Sequence, residues 1–509
     1  MIGTLREQLR EHALLVVLIA AAPAVVCAQS SGWPSERPPR ALEPHPVTFP
    51  RYELRTLANG LQLVVVRQDE QPVVNVRMLI RAGSAQDPTD KPGVAEMVAT
   101  LLDQGTTSRS AAEIADTIDF MGGNLGTGAG TDLSFANTIL LQSKLDEGLR
   151  LLADVIRRPA FSADELERQR EQLLSALKVS YQDPDYVAGA VVERLIFGFH
   201  PYGKPGNGTP ESVAALTRDD LVAFHKRWYH PNNTLIAIVG DVSVDTAAAA
   251  VEKAFGDWAR GSVPETTTTD PPEPTRRIVV VDRPGAVQTE IRVGQLAIRR
   301  AHQDYMPLNL AVKILGGEGG NRLQGVLRSD RGLTYGASAD MDAFQKSGAI
   351  VADTDTRTET TIEALRLTVD EFIRLQQEAV SERELDSAQA FLAGNFALTI
   401  ETPDAIALKV LNAIFYGLDL KDLPEYPQQV YRVTTEDIQR VSRAYLRPSR
   451  LAIVLVGDAG KFVPELKKAG FDNYELVKLD ELDLAAVNLK RVRRAADAAP
   501  APPPVPPAR

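Results

Sequence analysis

Cysteine is almost absent from this chain of 509 residues, whose single cysteine is Cys27. A chain cleaved after Ala28 would keep no thiol, which excludes disulfides and cysteine-ligated metal sites. Such a composition suits an oxidising compartment such as the periplasm.

Long hydrophobic runs are also lacking. The apolar run at Ala13–Ala22 is too short to span a bilayer, and Val26-Cys27-Ala28 before Gln29 is typical of a signal-peptide cleavage site. We therefore predict a signal peptide at 1–28, a periplasmic or secreted protein and no membrane span. The alternative is a lipid anchor on Cys27, which the bulk of Val26 disfavours.

A basic stripe is missing as well. The net charge is −11, which argues against nucleic acid as a partner and suits basic or neutral peptides. Among the six histidines, His225 and His230 are five residues apart and do not share a helical face. We expect the histidines to be structural rather than metal ligands.

The most informative segment that is present runs from Gly93 to Thr106. Its apolar residues recur with helical spacing, at Val94, Met97, Val98, Leu101 and Leu102. The pattern predicts a helix that Asp90 or the loop around Pro92 opens and Gly105 closes. On the face away from the apolar stripe it places Glu96, Ala99, Thr100 and Asp103.

This segment resembles the zinc helix of the pitrilysin/insulinase metallopeptidases, the inverzincins, which carry His-x-x-Glu-His there. In that motif two histidines bind zinc and the glutamate is the base for the metal-bound water. Glu96, Ala99 and Thr100 occupy the three positions. The third ligand of the family, a glutamate on a later helix, corresponds to Ala176. With all four positions altered, we predict no catalytic residue, no metal site and no cofactor in this chain.

The second half of the chain repeats the first. Residues 217–231 match residues 434–448 at a constant offset of 217, and each copy continues into an apolar strand and Val-Gly-Asp. The resemblance implies an α+β fold of two homologous α/β-sandwich domains in tandem, LuxS/metallohydrolase-like, that close as a clamshell. We predict these segments: signal peptide 1–28, flexible lead-in 29–47, N-terminal peptidase-like domain 48–260, linker 261–276, C-terminal peptidase-like domain 277–480 and Pro/Ala-rich tail 481–509.

A glycine-rich stretch in the second half precedes the sequence Leu-Arg-x-x-x-Gly-x-x-Tyr. It lacks the ending of a phosphate-binding loop. By resemblance, Arg328 and Tyr335 hold and polarise a substrate peptide, and the neighbouring glycines complete the substrate-binding set, namely Gly316, Gly317, Gly319 and Gly320. The alternative is that Tyr335 packs in a strand while Arg328 pairs with a nearby acid.

This sequence has lost the residues of the zinc site and has kept Arg328 and Tyr335. In this respect it resembles the non-catalytic subunit of two-chain members such as the mitochondrial processing peptidase. The resemblance implies a substrate-binding or regulatory subunit that forms a heterodimer with an active homologous metallopeptidase, the only one of the two to carry zinc. One alternative is a structural or peptide-holding protein of the same fold without a protease partner. Another is an active peptidase with a non-standard site.

Overall fold

A computed structural model describes residues 48–265, 270–273, 275–317 and 320–491. The predicted signal peptide and lead-in lie outside these residues, as do Gly319 and the end of the predicted tail. Within the described part, no helix is long and apolar enough to cross a membrane.

The first half is built from six strands and eight helices in the part that the structure describes. The strands are β1 (Tyr52–Thr56), β2 (Gln62–Arg67), β3 (Val73–Ile80), β4 (Asn124–Ala129), β5 (Ser134–Leu141) and β6 (Thr234–Gly240). The helices are α1 (Val94–Leu101), α2 (Ala111–Phe120), α3 (Leu145–Arg157), α4 (Ala163–Ser180), α5 (Pro184–Phe197), α6 (Pro210–Ala215), α7 (Arg218–Trp228) and α8 (Val244–Phe255).

The second half has a similar set of elements, with six strands and seven helices in the described ranges. Its strands are β7 (Arg277–Asp282), β8 (Gln288–Ala297), β9 (Ala337–Ala343), β10 (Gly348–Arg357), β11 (Ala452–Gly457) and β12 (Glu475–Lys478). Its helices are α9 (Tyr305–Gly316), α10 (Thr361–Gln377), α11 (Glu382–Leu398), α12 (Pro403–Tyr416), α13 (Tyr426–Tyr431), α14 (Thr435–Tyr445) and α15 (Ala459–Lys468). Gln324–Asp330 forms a short π-helix.

Each half contains one six-stranded mixed sheet. The strand orders are β1-β2-β6-β3-β5-β4 and β12-β7-β11-β8-β10-β9. The central parallel pairs β2–β6 and β7–β11, and the antiparallel pairs β3–β6 and β8–β11, correspond one to one. This correspondence confirms the predicted fold of two homologous mixed α/β domains.

The repeat detected in the sequence marks equivalent helices. Thr217 caps α7 and Thr434 caps α14, and each forms a capping box with an aspartate three residues on. Helix and strand then follow in the same order in both halves.

Each half also packs one helix against the sheet of the other. Helix α5 lies on β8 and β11, whereas α12 lies on β3 and β6. The Arg77 guanidinium reaches the Asp404 carboxylate at 2.7 Å, and Arg292 pairs with Asp185 in the same way on the second sheet. Two corresponding ion pairs therefore join the exchanged helices to the sheets.

The C-terminal segment requires a correction of the predicted tail. Residues 481–491 pack against the fold, since Leu482, Leu484 and Leu489 are buried in a cluster with strands of the second sheet and with α5. The Arg194 side chain also donates a hydrogen bond to the Leu484 carbonyl at 3.0 Å. Residues 261–276, the predicted linker, contain no helix or strand where they are described.

Candidate functional site

Helix α1 begins at one of the two predicted places and ends before the predicted residue. Gly93 stands at its N-cap with a φ of 97° and offers no side chain, so the helix opens in the loop around Pro92 and not at Asp90. Asp87 accepts hydrogen bonds from the backbone N–H groups of Gly93 at 2.6 Å and Ala95 at 2.8 Å. The helix ends at Leu101, before Gly105. A carboxylate from the preceding loop therefore satisfies the free N–H groups of the first turn.

Burial has the largest effect on the pKa of the capping residue, Asp87. Removal from water raises the pKa of Asp87 to about 7, and the hydrogen bonds from the helix N-terminus oppose that rise.

The polar positions of α1 do not all face the same environment. Glu96 and Thr100 are half-buried, and the Thr100 hydroxyl lies 3.5 Å from a Glu96 carboxylate oxygen. Ala99 was predicted to face away from the apolar stripe but is fully buried, because α1 packs against α4, α7, β4 and β5. Burial raises the pKa of Glu96, and hydrogen bonds from Thr100 and the Ala129 backbone oppose the shift.

The residues at the corresponding zinc positions do not fit a zinc ion. Zinc requires imidazole, thiolate or carboxylate ligands, and Thr100 offers a neutral hydroxyl. Ala176 lies on α4 with an exposed methyl group and no donor atom. Across the described ranges, no group of three or more His, Cys, Asp or Glu side chains is arranged to hold a metal. Glu96 is the one conventional zinc-ligand side chain among the four altered positions.

Two of the histidines have structural contacts. The His225 imidazole lies 2.8 Å from the Ile156 carbonyl, and burial lowers its pKa to about 4. In His302, Nδ1 accepts a hydrogen bond from the Asp304 backbone at 3.0 Å. Both fit the prediction of structural rather than ligating histidines.

The structure contains a glycine-containing edge strand next to α1 that the sequence did not predict. Strand β4 pairs only with β5 among the described residues, and it lies against α1. A side chain added at Gly126 would meet open space. An unpaired strand edge can accept an extended peptide through main-chain hydrogen bonds. The sequence of this strand is Asn124-Leu-Gly-Thr-Gly-Ala129, whose two glycines leave little signal for a strand.

Arg328 and Tyr335 lie together on the surface of the second half. The Arg328 guanidinium carbon is 4.7 Å from the centroid of the Tyr335 ring, and the ring is 84% exposed. The π-helix that carries Arg328 is anchored by the fully buried Leu327. Arg328 has no ion pair within the described ranges. Neither half of the alternative interpretation holds, because Tyr335 is not packed in a strand and Arg328 does not pair with an acid.

The predicted glycines divide into two groups. Gly316 ends α9 against β9, where a Cβ would overlap the backbone nitrogen of Ala339, and a Cβ at Gly317 would overlap Lys313. Gly320 has open space around it. Gly319 lies outside the described residues. Gly316 is therefore needed for close packing of a helix on a strand.

Gly316, Gly317 and Tyr335 line one cleft, with a volume of 470 Å³, between the N-terminus of α5 and the second sheet. Neither Arg328 nor the polar positions of α1 line this cleft. Arg328 contacts the Tyr335 ring, which does line it. The charged residues that line the cleft are four acids and one arginine: Asp185, Glu290, Asp353, Asp355 and Arg292.

The electrostatics of this cleft are acidic. Burial raises the pKa of Glu290 to about 7; Arg292 opposes the shift, whereas Asp355 and Asp185 add to it. Arg292 is already paired with Asp185 and lies 3.5 Å from Glu290. The remaining negative charge favours a cationic ligand group, and the open face of Tyr335 also attracts cations.

Comparison with known proteins places the chain in a family. The family profile described as Insulinase (Peptidase family M16) matches residues 63–208, and the one described as Peptidase M16 inactive domain matches residues 215–392. The second match begins after α1, at residue 215, so its name does not describe the segment that carries the altered zinc positions.

Similar sequences carry two kinds of name. A protein of Mycobacterium tuberculosis named "uncharacterized zinc protease" is 27% identical over 409 residues, which cover 80% of this chain and 93% of that protein. A Helicobacter pylori protein named "non-peptidase homolog" is 23% identical over 398 residues, covering 77% of this chain and 90% of that protein.

Solved structures agree with the fold. The crystal structure of a peptidase M16 inactive domain from Pseudomonas fluorescens has a TM-score of 0.76 and 30% identity, covering 80% of this chain and 98% of that chain. A protease from Helicobacter pylori has a TM-score of 0.76 at 22% identity, covering 80% and 99%, and supports the fold alone. This chain therefore belongs to the insulinase family of peptidases, family M16, as a degenerate member without the zinc-binding side chains.

Proposed function

We propose that this chain is a secreted, zinc-free subunit that binds peptides for an active homologous metallopeptidase. The observation that carries the proposal is the contrast between two sites. The Arg328–Tyr335 pair is exposed and available, whereas the zinc positions of α1 have lost the donors for metal and proton transfer. Within the pair, arginine offers a fork of donors for a peptide carbonyl, and a tyrosine hydroxyl donates to developing negative charge.

Peptide binding draws on two further features. The free edge of β4 supplies main-chain hydrogen bonds to an extended chain, independent of its sequence. The acidic cleft around Glu290 selects lysine or arginine side chains. Together they favour unfolded, basic peptides over folded proteins.

The partner supplies the chemistry in this proposal. Zinc and its base reside in the homologue, and the two chains assemble as a heterodimer in the periplasm or outside the cell. This chain then contributes binding and orientation alone.

The test is co-expression with a homologue of similar length that has His-x-x-Glu-His intact. Zinc content and cleavage of a basic peptide are measured for each chain alone and for the mixture. We expect one zinc per heterodimer and faster cleavage by the mixture than by the homologue.

Two results would overturn the proposal. Full activity of the homologue without this chain favours a structural or peptide-holding role. Chelator-sensitive cleavage by this chain alone identifies it as a peptidase with a non-standard site.

A further inference from the structure

A separate pocket of 330 Å³ lies in the second half, away from the acidic cleft. It is formed by the loop before α9, the end of α11, α12 and the start of α13. The side chains that determine its chemistry are Arg300, Tyr305, Phe396, Lys409 and Tyr426. Its volume is at the small end of the range for small-molecule sites.

Aromatic rings form one wall. Phe396 and Tyr426 stack with centroids 4.9 Å apart and an interplanar angle of 20°. The Lys409 ammonium lies 5.7 Å from the Phe396 centroid and 6.0 Å from that of Tyr426. The Arg300 guanidinium carbon lies 3.9 Å from the centroid of the Tyr305 ring. Both cations are thus held against flat aromatic surfaces.

The two cations lack anionic partners. Both are half-buried, and in the described part of the chain neither has a carboxylate within 4.0 Å or a side-chain hydrogen bond to an acceptor. Burial lowers the pKa of Lys409, and the charge of Arg300 lowers it further.

Two acids also line the pocket, but among the described residues neither forms an ion pair with Arg300 or Lys409. Asp419 accepts a hydrogen bond from the Lys421 backbone at 3.0 Å, and Asp422 accepts one from the Gln429 amide at 2.7 Å. The positive charges of Arg300 and Lys409 repel each other, and a bound oxyanion would relieve that repulsion.

We propose that this pocket binds a small organic anion. A carboxylate or phosphate group sits between Arg300 and Lys409, and the flat apolar part of the ligand packs against the rings of Tyr426 and Phe396. The proposal is independent of peptide binding by the Arg328–Tyr335 pair. It assigns this ligand class to the pocket on the basis of two unpaired cations and a stacked aromatic wall.

The test is calorimetric titration of the full chain with benzoate, phenyl phosphate and neutral benzamide. We expect saturable binding of at least one of the two anions and at least tenfold weaker binding of benzamide. The ratio of the benzoate and phenyl phosphate affinities distinguishes a carboxylate site from a phosphate site.

Two variants locate the binding. Lys409→Met keeps the aliphatic stem and removes the charge, and Arg300→Gln removes the other cation. Each is expected to weaken binding of the preferred anion by at least tenfold. The matched control is Lys421→Met, which changes an exposed lysine outside the pocket lining and leaves the affinity unchanged.

Absence of anion binding by the unsubstituted chain would overturn the proposal. So would equal anion affinity in the unsubstituted chain, Lys409→Met and Arg300→Gln. Thermal unfolding of each variant shows whether a loss of affinity results from unfolding of the protein. If Lys409→Met does not fold, Arg300→Gln provides the test.

Discussion

At the residue scale, the high exposure of Tyr335 allows an effect on binding to be distinguished from an effect on stability. A ring that is 84% exposed buries little apolar surface, so its removal costs little folding free energy. Arg328 is also exposed and contacts this ring without an ion pair among the described residues. A role in stability therefore does not account for the pair, whereas a role in binding does.

We predict that Arg328→Ala lowers the affinity for a basic or neutral peptide and lowers turnover by the active partner. The free energy of unfolding should change by less than about 0.5 kcal/mol, as is usual for surface substitutions. Peptide titration and chemical denaturation measure the two effects. Arg331→Ala is the matched control, since Arg331 is exposed, lies three residues away and forms an exposed ion pair with Glu363 at 3.8 Å. Equal losses of affinity in both variants would contradict a specific role for Arg328.

We predict that Glu290 makes the proposed peptide binding dependent on pH. Because its pKa is raised to about 7, it is largely neutral at pH 6 and largely ionised at pH 8. The affinity for an arginine-containing peptide should therefore rise with pH across this window. One added charge corresponds to roughly 1 kcal/mol, about fivefold in affinity. Glu290→Gln should remove the rise, and a pH-independent affinity in the unsubstituted chain would exclude Glu290 from the cleft chemistry.

The same titration has an opposite effect on folding. A carboxyl group with a raised pKa binds its proton more tightly in the folded state than in the unfolded state. Its contribution to stability is present below its ordinary range and is lost as the pH rises to about 7.

The resemblance to the family implied that Arg328 and Tyr335 hold the same substrate peptide. It could not predict the environment of Glu290, since Asp185 and Asp355 approach from elements distant in the chain. Pairwise contacts across the fold determine such pKa shifts, and local sequence does not encode them.

At the element scale, α1 depends on a cap from outside the helix. Asp87 accepts two backbone hydrogen bonds from its first turn, whereas Asp90 is exposed. We predict that Asp87→Ala lowers the free energy of unfolding by about 1–3 kcal/mol, the cost of leaving those donors unpaired. Asp90→Ala should change it by less than about 0.5 kcal/mol. Urea denaturation at pH 8 compares them, and equal effects would contradict the assigned cap.

The glycine-rich stretch after α9 yields a second paired prediction. Gly316→Ala should destabilise the protein by about 1–3 kcal/mol, because its Cβ would overlap the backbone of β9. Gly320→Ala has space for the methyl group and should be nearly neutral. Thermal unfolding measures both changes. A neutral Gly316→Ala would mean that close packing does not explain this glycine.

Elements with strong periodicity were predictable and weakly patterned ones were not. The hairpin of β1 and β2 follows from Asn59-Gly60 at the turn between the two strands. Strand β4 lacks an apolar alternation and contains two glycines, so nothing in its own sequence favours a strand. This strand is held instead by its pairing with β5 and its packing against α1.

At the scale of the whole molecule, the exchange of α5 and α12 makes the two halves interdependent. Each helix covers the sheet of the other half, and each begins beside an arginine of that sheet. The tandem repeat predicted two similar halves. It could not predict the exchange, because a helix can pack on either sheet without altering its own apolar pattern.

The Arg77–Asp404 pair tests this coupling. We predict that Arg77→Ala and Asp404→Ala each lower the free energy of unfolding by about 1–3 kcal/mol and that the double variant costs less than their sum. The control is Arg67→Ala, since Arg67 pairs with Asp69 in an exposed position worth less than about 1 kcal/mol. Strict additivity would mean that the pair contributes no coupling between α12 and the first sheet.

The most direct measurement of the central claim is the zinc content of the purified chain, determined by elemental analysis after dialysis against zinc-containing buffer. The account predicts far less than one zinc per chain and no peptide cleavage by the chain alone. One zinc per chain, lost on Glu96→Gln, would contradict it, because the residues at the family's zinc positions would then still bind the metal.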